Sequence, residues 1–526
     1  MTVFPSYCVT VNLSQTTGKV MMQMYLMGID IGTTTSKGVI ATSEGKIIAS
    51  TGFEHDISRP FPDRAEHDAE KIWWGDFVRV CRELLRKSEI DPQAIAAVSC
   101  STMYPTLLPV DRNGAPLRPG ILYGIDRRAV NEIEMMKERL TDAYCLRISG
   151  NGLSTQSIAP KILWIKNHEP DVFSAAYKYL NASAYITYRL TGRFYIDHGS
   201  ASLGGVPYSL EKNAWDALSL EACGISKEQL PELVWADENI GCINKEAAEE
   251  TGLAEGTIVA PGTGDHVTES LSQGYVQSGA ASISYGTTFG MDVCTDRLLV
   301  CPGLSTSLTC FKGLYTVGGG MLNGASLIRW FRDQLACFDE EIKGRADFDP
   351  YALLDADAAQ IDAGCDALIA LPYFSGEKIP FFDADARGVL FGLRLQHTRG
   401  HIYRALLESV AFSVRHTLEG VQQAGFSVQQ VISTGGGTKS GIWTQIVSDA
   451  TGLRQQVLKQ SHGSPMGAAF LGALVAGVIK DRNQILEWNE LDRWVDPDPK
   501  AKPLYDKYYK IYRELYAQTK ALMQLL

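Results

Sequence analysis

LMGIDIGTTTSKGVIATSEGKIIAS, residues 26–50, is the stretch on which the fold turns. Its apolar run 26–31 ends in Gly32-Thr33-Thr34-Thr35-Ser36. A second apolar run, 37–41, ends in Ser43-Glu44-Gly45-Lys46, and a third follows. Strand, tight turn, strand, tight turn, strand is an antiparallel meander. After it come a helical pattern over 69–87 and a short apolar strand, AIAAVSCS, at 94–101. Strand-like and helix-like stretches then alternate to about Gly262, the pattern of an α/β domain. About half the chain later the unit recurs as AASISYGTTFGMDV, residues 280–293, with Gly286-Thr287-Thr288 at its turn. One Gly-Thr-Thr is commonplace. Two, each opening a meander, predict two related domains with a boundary near 265–275. The expected division is a loosely attached leader at 1–24, a first domain at 25–270, a second at 271–490 and a helical extension at 491–526.

The 526 residues exceed what one hydrophobic core organises, which agrees with two domains. The composition, 45% hydrophobic and 21% charged, is that of an ordinary globular protein. The net charge of −11 sets nucleic-acid binding aside, because no basic face is available to meet a polyanion. The longest apolar stretch, 466–479, is too short to span a bilayer and is interrupted by Gly467, Gly472 and Gly477. No membrane partner is expected. The first residues lack the charged and apolar regions of a signal peptide. Eleven cysteines stand singly with no Cys-x-x-Cys pair, so neither a zinc ribbon nor a disulfide framework is indicated, and a reducing cytoplasm is the expected compartment.

The turn at Gly32, Thr33, Thr34 and Thr35 offers backbone amides and hydroxyls without an obstructing first side chain. Such a ring of donors suits phosphate oxygens. Asp30, at the strand end, could hold Mg²⁺ directly or through water. Lys37 adds a positive charge or is a solvated strand residue. The phosphate-loop spacing and the dinucleotide fingerprint are both absent. Gly286, Thr287 and Thr288 would clamp the same phosphates from the other side. Between the two lies PGTGD, 261–265, after the apolar run GTIVA and before a helical stretch. A carboxylate at such a junction can project into a cleft, and Asp265 is the candidate general base for a hydroxyl attacking phosphorus. Capping the following helix is the competing role. His266 beside it reads as a structural or surface histidine. Farther on, Gly435, Gly436 and Gly437 leave bare backbone on which a purine or ribose could lie, with Ser440 and Lys439 near the sugar or α-phosphate.

These motifs, GIDIGTTTSKG, GTGDH, SYGTTFG and GGGTKSGIWTQIVSDATG, occur in an order and spacing that resembles the FGGY family of carbohydrate kinases. SIAPKILWIKN (157–167), NGASLIRWFRD (323–333) and FSGEKIPFFDADARGVLFGL (374–393) extend the likeness over about 26–477. The resemblance implies two actin-like, ribonuclease-H-like α/β domains facing an interdomain ATP cleft. It also implies ATP and Mg²⁺ as cofactors, a small sugar or polyol as substrate, and Asp265 as the base. The Gly32 and Gly286 turns become its phosphate loops, and Gly435 to Gly437 with Ser440 its adenosine side. The sugar-facing motifs depart from the xylulose-kinase form. Ser101-Thr102-Met103-Tyr104-Pro105-Thr106 stands where Ser-Gly-Gln-Met-His-Gly is usual, and Gly124-Ile125-Asp126-Arg127-Arg128 keeps Asp126 and Arg128 but lacks the usual tryptophan. Met103, Tyr104 and Asp126, with Asp265, are the expected substrate contacts. The expectation is phosphorylation of a primary hydroxyl of a xylulose-like ketose. Gluconate, ribulose, erythritol or glycerol kinases are alternatives, as is a non-catalytic actin-like ATP-binding protein. A homodimer is compatible with this reading. The aromatic stripe Tyr505, Tyr508, Tyr509, Tyr512 and Leu515 predicts a final helix packed on its own domain.

Overall fold

The computed structural model describes residues 23–336, 338, 348–459 and 463–526. The leader expected at 1–24 lies, up to residue 22, outside them. Strands β1 (Tyr25–Ile31), β2 (Thr35–Thr42) and β3 (Ile47–Glu54) form the antiparallel meander. Helix α1 (Gly75–Ser88) follows a π-helical turn at Ala69–Trp74. Strand β4 (Ile95–Thr102) then pairs in parallel with β1. After a long, mostly helical insertion, β5 (Ile258–Val259) and β6 (Thr263–Gly264) join β4 in parallel, and α2 (Asp265–Ser272) begins at once. The first sheet has the order β5-β4-β1-β2-β3.

The second half repeats the plan. Strands β7 (Ala280–Tyr285), β8 (Phe289–Thr295), β9 (Ser305–Leu308) and β10 (Tyr315–Met321) are antiparallel. Helices α3 (Ala325–Gln334) and α4 (Arg399–Gln423) precede β11 (Gln430–Thr434), which returns parallel to β7. Helix α5 (Gly441–Thr451), strand β12 (Gln455–Leu458), helix α6 (Gly463–Val475), strand β13 (Leu491–Val495) and helix α7 (Lys502–Met523) complete it. The sheet order is β9-β10-β8-β7-β11-β12-β13. Two features differ from the division read in the sequence. Residues 491–495 are not helical: they form β13, antiparallel to β12, and close the edge of the second sheet. Helix α6, counted with the second domain, packs on β1, β4 and α2 of the first.

That crossing explains the composition of both partners. Strand β1 is central and covered on both faces, so it reads as an apolar run and not as an alternation. On one side lies α1, whose Phe77, Val80, Cys81 and Leu84 recur at helical spacing and are buried. On the other lies α6, rich in Gly and Ala, which approaches to backbone contact. A Cβ placed on Gly28 would lie 1.9 Å from the Pro465 carbonyl oxygen, and one on Gly467 would lie 1.9 Å from that of Thr268. The final helix behaves as its spacing predicts: Tyr505, Tyr508, Tyr509, Tyr512 and Leu515 are buried against the second core.

Candidate active site

The first turn is held from behind. The Gly32 amide donates to the Thr35 carbonyl at 3.0 Å, and a Cβ on Gly32 would sit 2.8 Å from that oxygen, so a side chain there would break the turn. His55 Nε2 lies 3.2 Å from the Gly32 carbonyl oxygen, while its Nδ1 lies 2.9 Å from Asp76 Oδ2. The Trp73 indole N–H, which can only donate, bonds to His67 Nδ1 at 3.2 Å. His67 must therefore carry its proton on Nε2, which donates to the Thr33 carbonyl at 3.1 Å. Burial pushes the His67 pKa down to about 4, so the ring stays neutral. In a trans peptide the N–H points opposite to the C=O. With the Gly32 and Thr33 carbonyls tied to the histidines, the following amides are turned the other way. Thr33 Oγ1 donates to the Tyr123 hydroxyl at 3.2 Å. The buried Lys161, from the matched Pro-Lys-x-x-Trp stretch, bonds the Leu122 and Tyr123 carbonyls at 2.6 and 3.1 Å.

The second turn uses the same principle with different parts. The carbonyls of Gly286 and Thr287 accept from the Ala325 and Ser326 amides, at 2.9 and 3.1 Å, at the start of α3. Thr287 and Thr288 are exposed. Glu377, pushed up to about 7 by burial, braces this region by accepting from the Leu322 and Lys378 amides at 3.0 and 2.8 Å. Gly435 has a φ of 101° and packs on the end of β7, where a Cβ would lie 2.7 Å from the Tyr285 carbonyl oxygen. Gly437 lies against the Trp443 ring, and Gly436 faces open space. Ser440 caps α5 by accepting from the Trp443 amide at 3.2 Å. Gly435 to Gly437 are thereby brought next to the Gly286 turn.

Asp265 opens α2, but Gly264 occupies the capping position, and no side-chain cap is made there. The Asp265 Oδ1 instead accepts from the neighbouring His266 amide at 2.7 Å, which removes the capping role weighed from sequence. Strand β6 fixes the entry: Thr263 and Gly264 pair with Ser101 and Thr102, and Thr263 Oγ1 donates to the buried Asp197 at 2.9 Å. Asp30, at the end of β1, accepts from Ser101 Oγ at 2.7 Å. Burial raises both carboxyls above the ordinary carboxylate range, and the negative charge of Asp265 adds to the shift of Asp30. They share a groove of about 1120 Å³ with Lys37, His266, Glu269 and Ser464. Lys37 acts on Asp30 and His266 on Asp265 as the cations of the groove.

Three expected residues fall elsewhere or are differently engaged. Met103 is 1% exposed and belongs to the first core. Its amide donates to the Ile31 carbonyl, extending the β1–β4 pairing. Asp126 is fully buried: its oxygens accept from Arg128 Nε and Nη2 at 2.9 and 2.7 Å and from the Ala65 amide at 2.7 Å. A carboxylate so engaged faces a guanidinium and not the cleft. Tyr104 does not line the groove either: its Cβ lies 3.5 Å from where a Cβ on Gly264 would be, while its hydroxyl lies 3.1 Å from the Cβ position of Gly204. His266, read as structural or surface, is half-exposed and lines the groove, with Nε2 3.1 Å from Asp292 Oδ2. His55, Asp76 and Trp73 were not legible as site residues, since no motif marks them.

Comparison with known proteins finds one family over most of the chain. The model of the N-terminal domain of the FGGY family of carbohydrate kinases matches residues 25–272, and that of the C-terminal domain matches 281–476. The chain is 29% identical to the xylulose kinase of Escherichia coli (strain K12) over 503 residues, covering 95% of this chain and 100% of that one. It is 28% identical to the gluconokinase of Bacillus subtilis (strain 168), covering 87% and 89%. The crystal structure of xylulose kinase from Rhodospirillum rubrum superimposes with a TM-score of 0.89 at 30% identity, covering 95% and 100%. The fold is the two-domain actin-like one.

Proposed function

The chain belongs to the FGGY family of carbohydrate kinases, and we propose that it transfers the γ-phosphoryl group of ATP to a primary hydroxyl of a xylulose-like ketose, with Asp265 as the base. The observation that carries the reading is the position of the Asp265 carboxylate. It lines the groove together with Asp30, on a helix that begins directly from the first sheet. The hydroxyl oxygen forms the new bond to phosphorus, its proton passes to Asp265, and the bond from phosphorus to the β,γ-bridging oxygen breaks to release ADP. The Gly32 and Gly286 turns, with their carbonyls tied back, are the donors for the phosphate oxygens, and Gly435 to Gly437 with Ser440 are the adenosine side. Asp30 would hold Mg²⁺, directly or through water, and the bound ion would offset phosphate charge. Asp126 acts indirectly by fixing the segment 64–66 through Arg128.

The names of the relatives support a sugar substrate and leave ketose and aldonate both in view. Met103 and Asp126 do not line the groove, so neither discriminates between the two by direct contact there. A coupled ADP-release assay against pentuloses, hexuloses, pentitols, glycerol and aldonic acids decides. A pentulose giving the highest kcat/KM is the expected result, and a preference for aldonic acids would replace the ketose reading. The free thiols of Cys81, Cys100 and Cys145 support a reducing, cytoplasmic setting. No helix among the described residues is long and apolar enough to cross a membrane.

The phosphate clamp has its own test. Each hydroxyl donated to a phosphate oxygen contributes about 1.5–3 kcal/mol, so Thr287→Val should raise the KM for ATP by about tenfold or more, and Thr33→Val by less, because its hydroxyl must first leave Tyr123. If the double variant keeps the wild-type KM for ATP, the clamp is wrong.

A further inference from the structure

We propose that His266 and Asp292 are positioning residues for the base, an ion pair through which the second domain holds the Asp265 turn in its working orientation. The proposal rests on Asp265 being the base. His266 sits next to it on the first turn of α2, and the strand leading into that turn is hydrogen-bonded to β4 of the first sheet. Asp292 belongs to β8 of the second sheet, in register with Ser282 and Gly318. Their 3.1 Å contact therefore bridges the two domains one residue away from the base. The bridge has a direct handle on that base, because the His266 amide is the donor to Asp265 Oδ1 at 2.7 Å. Displacing the imidazole displaces that peptide.

The surrounding charges give the pair a second effect. Asp265 shares the groove with Asp30 from β1, whose carboxyl it raises, and with Glu269 from its own helix, which disfavours the ionised form of Asp265. Lys37 on β2 acts on Asp30, and Glu54 on β3 lines the same groove. His266 is the cation beside Asp265 on its own turn, and it favours the carboxylate. Asp292, itself faced by Lys378 from the 374–393 segment, keeps the imidazole charged, raising its pKa to about 9. Asp292 is 6% exposed, so its charge is held in place by the second core and not by solvent. The turn that carries the base is consequently held, through His266, by a carboxylate of the second domain.

The test is a double-mutant cycle on the full chain with His266→Gln, Asp292→Asn and the pair together, read as kcat, both KM values and thermal midpoint. Each single change should lower kcat by about tenfold or more while moving either KM by less than about threefold. The double variant should be no slower than the worse single variant. Asp265→Asn in the wild-type background is run beside them. Near-wild-type turnover there would remove the base reading itself, whereas its inactivation leaves the cycle to judge the pair. Single variants with wild-type kcat, losses that multiply in the double variant, or losses appearing only in KM would overturn the proposal. Because the two substitutions lie in different domains and His266 is half-exposed, an unfolded Asp292→Asn still leaves His266→Gln to decide.

Discussion

Asp265→Asn should abolish turnover while leaving nucleotide binding intact. Asparagine keeps the shape and the oxygen that accepts from the His266 amide, so the turn has no reason to move. What disappears is the ability to take the hydroxyl proton, and general-base catalysis contributes about 10²–10⁴-fold. Turnover should fall by at least that factor. Removing a negative charge beside Asp30 also relieves repulsion, so the Asp30 pKa should drop toward the ordinary range and stability should hold or rise. ADP-release kinetics and calorimetric ATP titration check both halves. The wild type carries a matching pH signature. A raised pKa means that Asp265 gains its proton earlier as pH falls, so the acid limb of kcat/KM should lie well above the pH of about 3.9 at which a free aspartate titrates. That limb should vanish from the residual activity of the asparagine variant. Wild-type-like turnover would refute the assignment.

The second large effect is expected from one methyl group. Gly28→Ala would place a carbon 1.9 Å from the Pro465 carbonyl oxygen and 2.5 Å from the Ala469 amide nitrogen. Both are backbone atoms of α6, so no side chain can swing aside. Either β1 or the helix must shift, and overpacking of this kind costs about 1–3 kcal/mol or more. The consequence for function follows from what each partner carries. Strand β1 bears Asp30 two residues on, and the start of α6 bears Ser464, whose hydroxyl donates to the Asp265 carbonyl at 3.0 Å. We expect low soluble yield, a lowered thermal midpoint and loss of kcat together. Gly467→Ala should behave alike, since its methyl would meet the Thr268 carbonyl oxygen on the helix of the base. Gly441→Ala is the control: nothing lies within 4 Å of its Cβ position, and it should be neutral or mildly stabilising. If Gly28→Ala matched that control, the close crossing of α6 would be wrong.

The residues that sequence could read are those whose local pattern is also their role. Two Gly-Thr-Thr turns between apolar runs, and a Gly-Asp at a strand-to-helix junction, declare themselves because turn geometry demands particular residues in a particular order. Partnership over long range does not. The Gly and Ala positions of α6 show that something packs closely, yet only the fold shows that the neighbour is β1 of the other half. Residues 491–495 alternate too weakly to reveal a strand until β12 is there to pair with it. Asp126 looked available because a carboxylate can accept many hydrogen bonds, and Arg128, two residues on, turned out to use them. His55 and His67 act on carbonyls of a distant turn, a relation that leaves no spacing signature.

The most direct test of the whole account is a crystal structure of the chain with ADP and the best substrate from the sugar panel. We expect a primary hydroxyl about 2.6–3.2 Å from the Asp265 carboxylate, with the nucleotide phosphates against both the Gly32 and the Gly286 turns. A sugar seated away from Asp265, or phosphates touching only one turn, would contradict it.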